Sequence, residues 1–504
     1  MSKLNSLTWS ISAAAILAGT PALADITAAE LWETWQANGA LMNQAVTAAS
    51  VEPTSDGLVL RGLSAVTEQD DAVTTTRVDE VRLTEQGDGS IDIAVSDLYT
   101  LTTTFPEDRD FPGGNRITVE MELRHDGLEV TASGAVGDVI YDYSADRITI
   151  TDGNISDSDG TTPDVEISVT MTDLAARYAV SGTGEGSTFD STTQLGSLTM
   201  TVDAAPPPED SPDGQFKLAL AMSGIASTGG GTLNGIAELA QMSDGLPDGF
   251  RIAGNASYDA LSYELSFNDG PDTFANSYTN TGGTLDVTLS DAGIGYDLSA
   301  RNTRIQMTGS EIPVPIDISA DSGGISFLIP VTASDAPADM AVGIDYQGLT
   351  MNEAIWSMFD PGGVIPRDPA AFVLDMTGTV QLFVDLLDMD PAEMTGPPGE
   401  LRSITLQNAR LAVGGAELTA MGDITFTPGQ LVPMPVGQVN LTLSGANALL
   451  DRMVQGGMLP AEQAAMARGM SGMFARPGAG PDTLESTIDF TPGGGITANG
   501  FPLR

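Results

Sequence analysis

The side chains able to carry reaction chemistry are few. His125 is the single histidine and cysteine is absent, so thiol nucleophiles and metal sites built on His or Cys are excluded by count. A serine hydrolase would have to use His125, in the segment His125-Asp126-Gly127 between two alternating runs. Asp-Gly in that setting reads as a tight hairpin with the imidazole exposed at its tip. No Gly-x-Ser-x-Gly elbow exists either. No catalytic residue is assigned, and no cofactor motif is found: Gly182-Thr183-Gly184-Glu185-Gly186 is glycine-rich but acidic, so it would repel phosphate.

Carboxylates are abundant, with 68 Asp and Glu against 20 Lys and Arg and a formal net charge of −48. Two facing acids suffice for a glycoside hydrolase, but in so acidic a chain pairs arise by chance. The densest cluster of oxygen ligands runs from Asp152 to Gly160. Set against a twelve-residue calcium loop, Asp157, Asp159 and Glu166 become candidate ligands, with Gly160 at the sharp turn. Ile155 occupies the first ligand position and Pro163 interrupts the loop, which favours an Asx-rich turn without metal. A different chemistry is offered by Met466, Met470 and Met473 with Phe474, an apolar stripe at helical spacing. Such a stripe ordinarily packs on a sheet as core, and otherwise suits adaptable contact with a partner or an acyl chain.

These residues are carried mainly by strands. Residues 27–49 predict a helix, with Thr27 as cap, Glu30 three residues on, and Leu31, Trp32, Trp35 and Met42 on one face. From Val51 the period becomes two, as in Ile117–Leu123, Val165–Met171, Leu198–Val202, Leu285–Leu289 and Val439–Leu443. This predicts a mainly β fold: large antiparallel sheets, as a sandwich or a curled open sheet, with an N-terminal helix and a C-terminal helix pair. The helix pair is placed at Ala446–Val454 and from Pro460 to Phe474, and a closing strand pair at Thr487–Phe490 and Ile496–Ala498. Pro-rich and Gly-rich joints suggest regions 25–205, 214–390 and 400–504 after a leader at 1–24. A weak repeat links Tyr141-Asp142-Tyr143-Ser144-Ala145 to Tyr296-Asp297-Leu298-Ser299-Ala300, an echo that low-complexity β sequence also produces.

The leader has a basic start at Lys3, an apolar stretch from Leu7 to Ala18 and a small-x-small site before Asp25. It reads as an export signal too short to span a bilayer, which places the mature chain in the periplasm. Without cysteine there are no disulfides, and stability must come from burial. Scarce Lys and Arg exclude a nucleic-acid partner. Self-repulsion at −48 predicts that the melting temperature rises with added salt; a flat or falling salt series by calorimetry would contradict this.

Three segments carry a family resemblance: Trp356 to Pro369, Gly457 to Ala475, and Asp482-Thr483-Leu484 with Ala498-Asn499-Gly500. They resemble secreted alphaproteobacterial proteins of domain of unknown function 2125, clearest over about the last 200 residues. The resemblance implies export and a β-rich build, and it supplies no catalytic residues.

Many alternating strands produce a broad apolar face, and exposing it costs about 25 cal/mol per Å². If the face closes on itself, the chain is a non-enzymatic envelope protein with a structural or interaction role. If the face stays open, an envelope lipid or other amphiphile would occupy it.

Overall fold

The computed structural model describes residues 25–69, 71–106, 115–157, 164–205, 214–232, 249–290, 293–387, 396–429 and 434–503. The leader 1–24, Asp159 and the Pro206-Pro207-Pro208 joint lie outside them.

Thr27 starts the first helix, α1 (Ala28–Leu41). Its hydroxyl accepts from the Glu30 amide at 3.3 Å, and Glu30 Oε2 accepts from the Thr27 amide at 2.9 Å, so two orphan donors are satisfied reciprocally. The helix stops well short of residue 49. Asn43 turns left-handed at φ 54°, and β1 (Gln44–Pro53) pairs along β2 (Gly57–Gln69). The β-branched Val46 and Thr47 fit that ladder better than a helix, so strand pairing overrides the helical reading.

Every later pairing is antiparallel and joins strands near one another in the chain. Along β3 (Ala72–Glu85) lie β4 (Ile91–Val95) and β5 (Leu98–Pro106), end to end as two halves of one long strand. In the same way β6 (Arg116–Asp126) and β7 (Glu129–Ala135) run along β8 (Asp138–Asp157). The Asp126-Gly127 step is therefore a kink inside a strand and not the hairpin expected from its sequence. β9 (Asp164–Ser181), β10 (Thr188–Ala205) and β11 (Gln215–Thr232) follow. Two more split strands come next, β12 (Arg251–Tyr258) with β13 (Ala260–Asp269), and β14 (Asp272–Asn280) with β15 (Gly283–Ser290). The meander continues through β16 (Gly293–Gly309), β17 (Ile316–Pro330), β18 (Ala338–Met351), β19 (Ala370–Leu382), β20 (Gly399–Val413), β21 (Ala416–Phe426) and β22 (Pro435–Ser444). A short helix α2 (Glu353–Phe359), absent from the sequence reading, sits between β18 and β19. Helices α3 (Ala446–Gln455) and α4 (Ala461–Phe474) occupy the expected C-terminal positions. The sheet ends with β23 (Arg476–Pro477), β24 (Thr483–Thr491), β25 (Gly495–Ala498) and β26 (Phe501–Pro502). All described strands join one sheet.

A crease crosses this sheet. Gly62, Gly127, Asp173, Gly224, Asn302 and Gly348 take positive φ near mid-strand, and pairing is interrupted beside them, as between Ala145↔Leu174 and Arg147↔Thr172. Four times a crease glycine lies against an Asp of the adjacent strand: Gly127 on Asp146, Gly196 on Asp173, Gly224 on Asp259 and Gly348 on Asp321. Irregularities of this kind bend strands and increase their twist. They also reset which side chains face inward. Tyr141 and Tyr143 line the same cavity as Ile148, although their parity differs. The apolar phase of the sequence shifts at the same place, so one face stays apolar throughout.

The crease bears on the weak repeat. β4 to β8 and β12 to β16 share one pattern of two split strands followed by an unbroken one. Kink residue Gly127 precedes Tyr141 by the same interval as Gly282 precedes Tyr296. Tyr141 then stands opposite Tyr178 on β9, and Tyr296 opposite Phe327 on β17. The two units are topologically equivalent.

Gly127 tests the crease. At φ 63° a Cβ would lie 2.7 Å from Asp146 Oδ2. Gly127→Val should destabilise the protein by about 2 kcal/mol, while Gly127→Asn, which tolerates the left-handed region, should cost less. Denaturant titration of both variants checks the order.

Candidate functional site

The core is concentrated beneath α1. Leu31, Leu60, Leu83, Ile91, Ala132 and Val139 are essentially inaccessible, and Trp32, Val78, Val81 and Ile93 pack with them. Helix α1 is anchored to the sheet where Glu85 Oε1 accepts from the Ala28 amide at 2.8 Å.

Beside this core the helix does not fill the curve of the sheet. A cavity of about 520 Å³ remains between Trp35, Gly39 and Met42 of the helical segment and the inward side chains of β1 to β9. Its walls include Val46, Leu63, Val95, Leu123, Leu128, Leu174 and Val180, and none of its described lining residues is Asp, Glu, Lys or Arg. Polar groups come from Tyr99, Tyr141, Tyr143 and Tyr178, from His125, and from Asn38 and Gln44 at the end of the helical segment. Trp35 Nε1 donates to the Tyr141 hydroxyl at 3.1 Å. Burial pushes the Tyr99 and Tyr141 hydroxyls up to about 12, and raises Tyr143 and Tyr178 as well. All four therefore stay neutral near pH 7.

His125 is not at an exposed tip. Its ring packs 5.7 Å from that of Tyr99, and Nε2 lies 3.2 Å from the Ser96 carbonyl oxygen. Asn280 holds the same place relative to Gly282 and donates to the hydroxyls of Tyr258 and Tyr278 at 2.7 and 3.1 Å. Both residues tie a kinked strand to its neighbours.

The aromatic wall leaves the cavity where Phe189 of β10 stacks on Tyr178, centroids 5.8 Å apart. From there the apolar face runs on in register. Ile150, Val169, Met200, Leu220, Tyr263, Tyr278, Ile305 and Ile318 stand opposite one another in a single row across eight long strands. Further along, Tyr346, Phe372 and Leu411 form another row and are 38%, 45% and 47% exposed. Leu298 and Ile325, paired on β16 and β17, are exposed to similar degrees. Contiguous exposed apolar surface of this extent is unusual on a soluble monomer. On the polar rows, a larger concavity of about 840 Å³ is lined by Thr151, Glu166, Asp203, Lys217, Glu264 and Gln306.

The other candidate residues are not brought together at the cavity. Asp157 ends β8, and Glu166 stands on β9 opposite Asp203 of β10. Among the described residues no group of three His, Cys, Asp or Glu side chains is placed to hold a metal. The methionine stripe faces outward: Met466, Met470 and Met473 are 67%, 55% and 56% exposed, while Phe474 packs edge-on against Phe501. α4 buries Ala464 instead, so the expected packing of the stripe on the sheet does not occur.

Residues 256–503 match a family described as an uncharacterized protein conserved in bacteria, domain of unknown function 2125. No curated protein and no solved structure matches the chain. The matched stretch starts within β12, so α1 and its cavity precede it.

Within that stretch the segments that carried the resemblance act as clamps. Asp360 is 2% exposed. Its carboxylate accepts from the Val364 and Ile365 amides at 3.1 and 2.9 Å and from Arg367, whose guanidinium lies 4.3 Å from the Trp356 ring centroid. Asp482 accepts from the Asn447 and Ala448 amides and so caps α3. Asn499 Nδ2 donates to the Phe474 carbonyl at 3.0 Å, fixing the end of α4. Burial pushes both carboxyls up, but Arg367 and the backbone donors at Asp360, and the Ala448 and Asn447 donors at Asp482, outweigh it and hold them below their ordinary value. Their stabilisation is complete above the unfolded carboxylate value of about 4 and is lost as pH falls through the lower folded values. Hydrogen exchange at α2 and α3 should thus be constant from pH 7 to about 4, after correction for intrinsic rates, and accelerate below. Asp360→Asn should bring that loosening at α2 to neutral pH.

No helix of the described residues is long and apolar enough to cross a membrane.

Proposed function

We propose that the protein is a non-enzymatic, periplasmic amphiphile-binding protein that carries or presents an envelope lipid on the apolar face of its creased sheet. The carrying observation is the continuity of that face. An uncharged apolar cavity beneath α1 leads through Tyr178 and Phe189 onto rows of half-exposed side chains ending at Tyr346, Phe372 and Leu411. A concave apolar site with a few convergent polar groups is the general form of a small-molecule pocket, and one that opens onto a long apolar strip suits a molecule with a head and a chain. The periplasmic assignment rests on the leader at residues 1–24.

The test is extraction of the protein purified from a periplasmic fraction, followed by mass spectrometry of the organic phase. A stoichiometric lipid or other amphiphile is expected. A preparation that is ligand-free and also fails to enhance the fluorescence of N-phenyl-1-naphthylamine would rule the reading out.

A further inference from the structure

We infer that the cavity beneath α1 takes the uncharged, oxygen-bearing end of the amphiphile, an alcohol, ester or ketone group, while the chain lies along the open face. This rests on the function proposed above and specifies the ligand class.

The first observation is the hydroxyl inventory. Among the described residues, the hydroxyls of Tyr99, Tyr143 and Tyr178 have no hydrogen-bond partner, although their rings line the cavity. Tyr141 accepts from Trp35 and keeps its own O–H free to donate. Four O–H donors thus converge on one apolar space. A ligand that fills this space takes water away from these hydroxyls, and a donor left without a partner there is costly, so the ligand must bring an acceptor oxygen.

The second observation is the absence of charge. No Lys or Arg lines the cavity to balance a carboxylate or phosphate, and no Asp or Glu to balance an ammonium. An ionised head would be buried without a counter-charge, which is disfavoured strongly. His125 turns Nε2 to the Ser96 carbonyl, so that nitrogen is not offered to a ligand.

The experiment is displacement of N-phenyl-1-naphthylamine from the full mature chain by methyl palmitate, 1-hexadecanol and palmitate at pH 9. It is run on the native protein and on the combined variant Tyr99→Phe, Tyr143→Phe, Tyr178→Phe. The ester and the alcohol should displace the probe at concentrations at least tenfold below palmitate. The triple variant should weaken them about tenfold, as loss of one or two modest hydrogen bonds predicts, and leave the probe and palmitate unchanged. Palmitate equal to its ester, or unaltered ester binding in the variant that still binds probe, would overturn the inference while leaving amphiphile binding intact. Failure of every compound, probe included, would overturn both.

Discussion

Ala65→Trp should abolish amphiphile binding while leaving the sheet folded. Ala65 on β2 lines the cavity beneath α1 and is only partly buried, so an indole there enters ligand space before it meets packed core. A loss of about a hundredfold in affinity, ~3 kcal/mol, is expected, against a change in folding stability of about 1–3 kcal/mol from crowding. Leu174→Trp, from the opposite wall, should do the same. Thr201→Trp on the polar concavity should leave binding untouched. Probe titration with circular dichroism on the three variants separates occlusion from unfolding.

Leu60→Ala should lower folding stability by about 2–5 kcal/mol. Leu60 is fully buried and stands on β2 between Val51 and Val81, under α1. The effect should also be local. In a meander each strand contacts only its neighbours, so stability is close to a sum of nearest-neighbour terms, as in repeat proteins. Hydrogen exchange should therefore show α1 and β1 to β4 losing protection, with β20 to β22 unchanged. Uniform loss across the chain would mean that the sheet unfolds as one unit.

Much of the architecture is legible in the order of the residues. Thr27 and Glu30 announce α1 because a capping box is local chemistry. Alternating runs such as Leu198–Val202 announce strands because one wet and one dry face impose period two. Ala446 and Pro460 mark the starts of the C-terminal helices. The errors share one cause. Asp126-Gly127 carries the turn signal of a hairpin, and its role as a kink is visible only once β6 and β7 are both laid along β8. The methionine stripe has the spacing of a buried face, but nothing in α4 tells whether a sheet lies under it. The cavity tyrosines are scattered over β5, β8 and β9 with no common spacing.

The acidity shows the same division. Count and order along the chain establish an acidic, cysteine-free chain with one histidine and alternating strands. The tertiary structure decides where the charge is placed and how much of the apolar face is covered. Asp146, Asp173, Asp259 and Asp321 are single letters in the sequence; each becomes part of a crease only when a glycine of the neighbouring strand lies against it. Whether the apolar face is covered likewise depends on how bends add up over successive strands. No local window of residues contains that sum, and it leaves a cavity under α1 and an exposed row at Tyr346, Phe372 and Leu411.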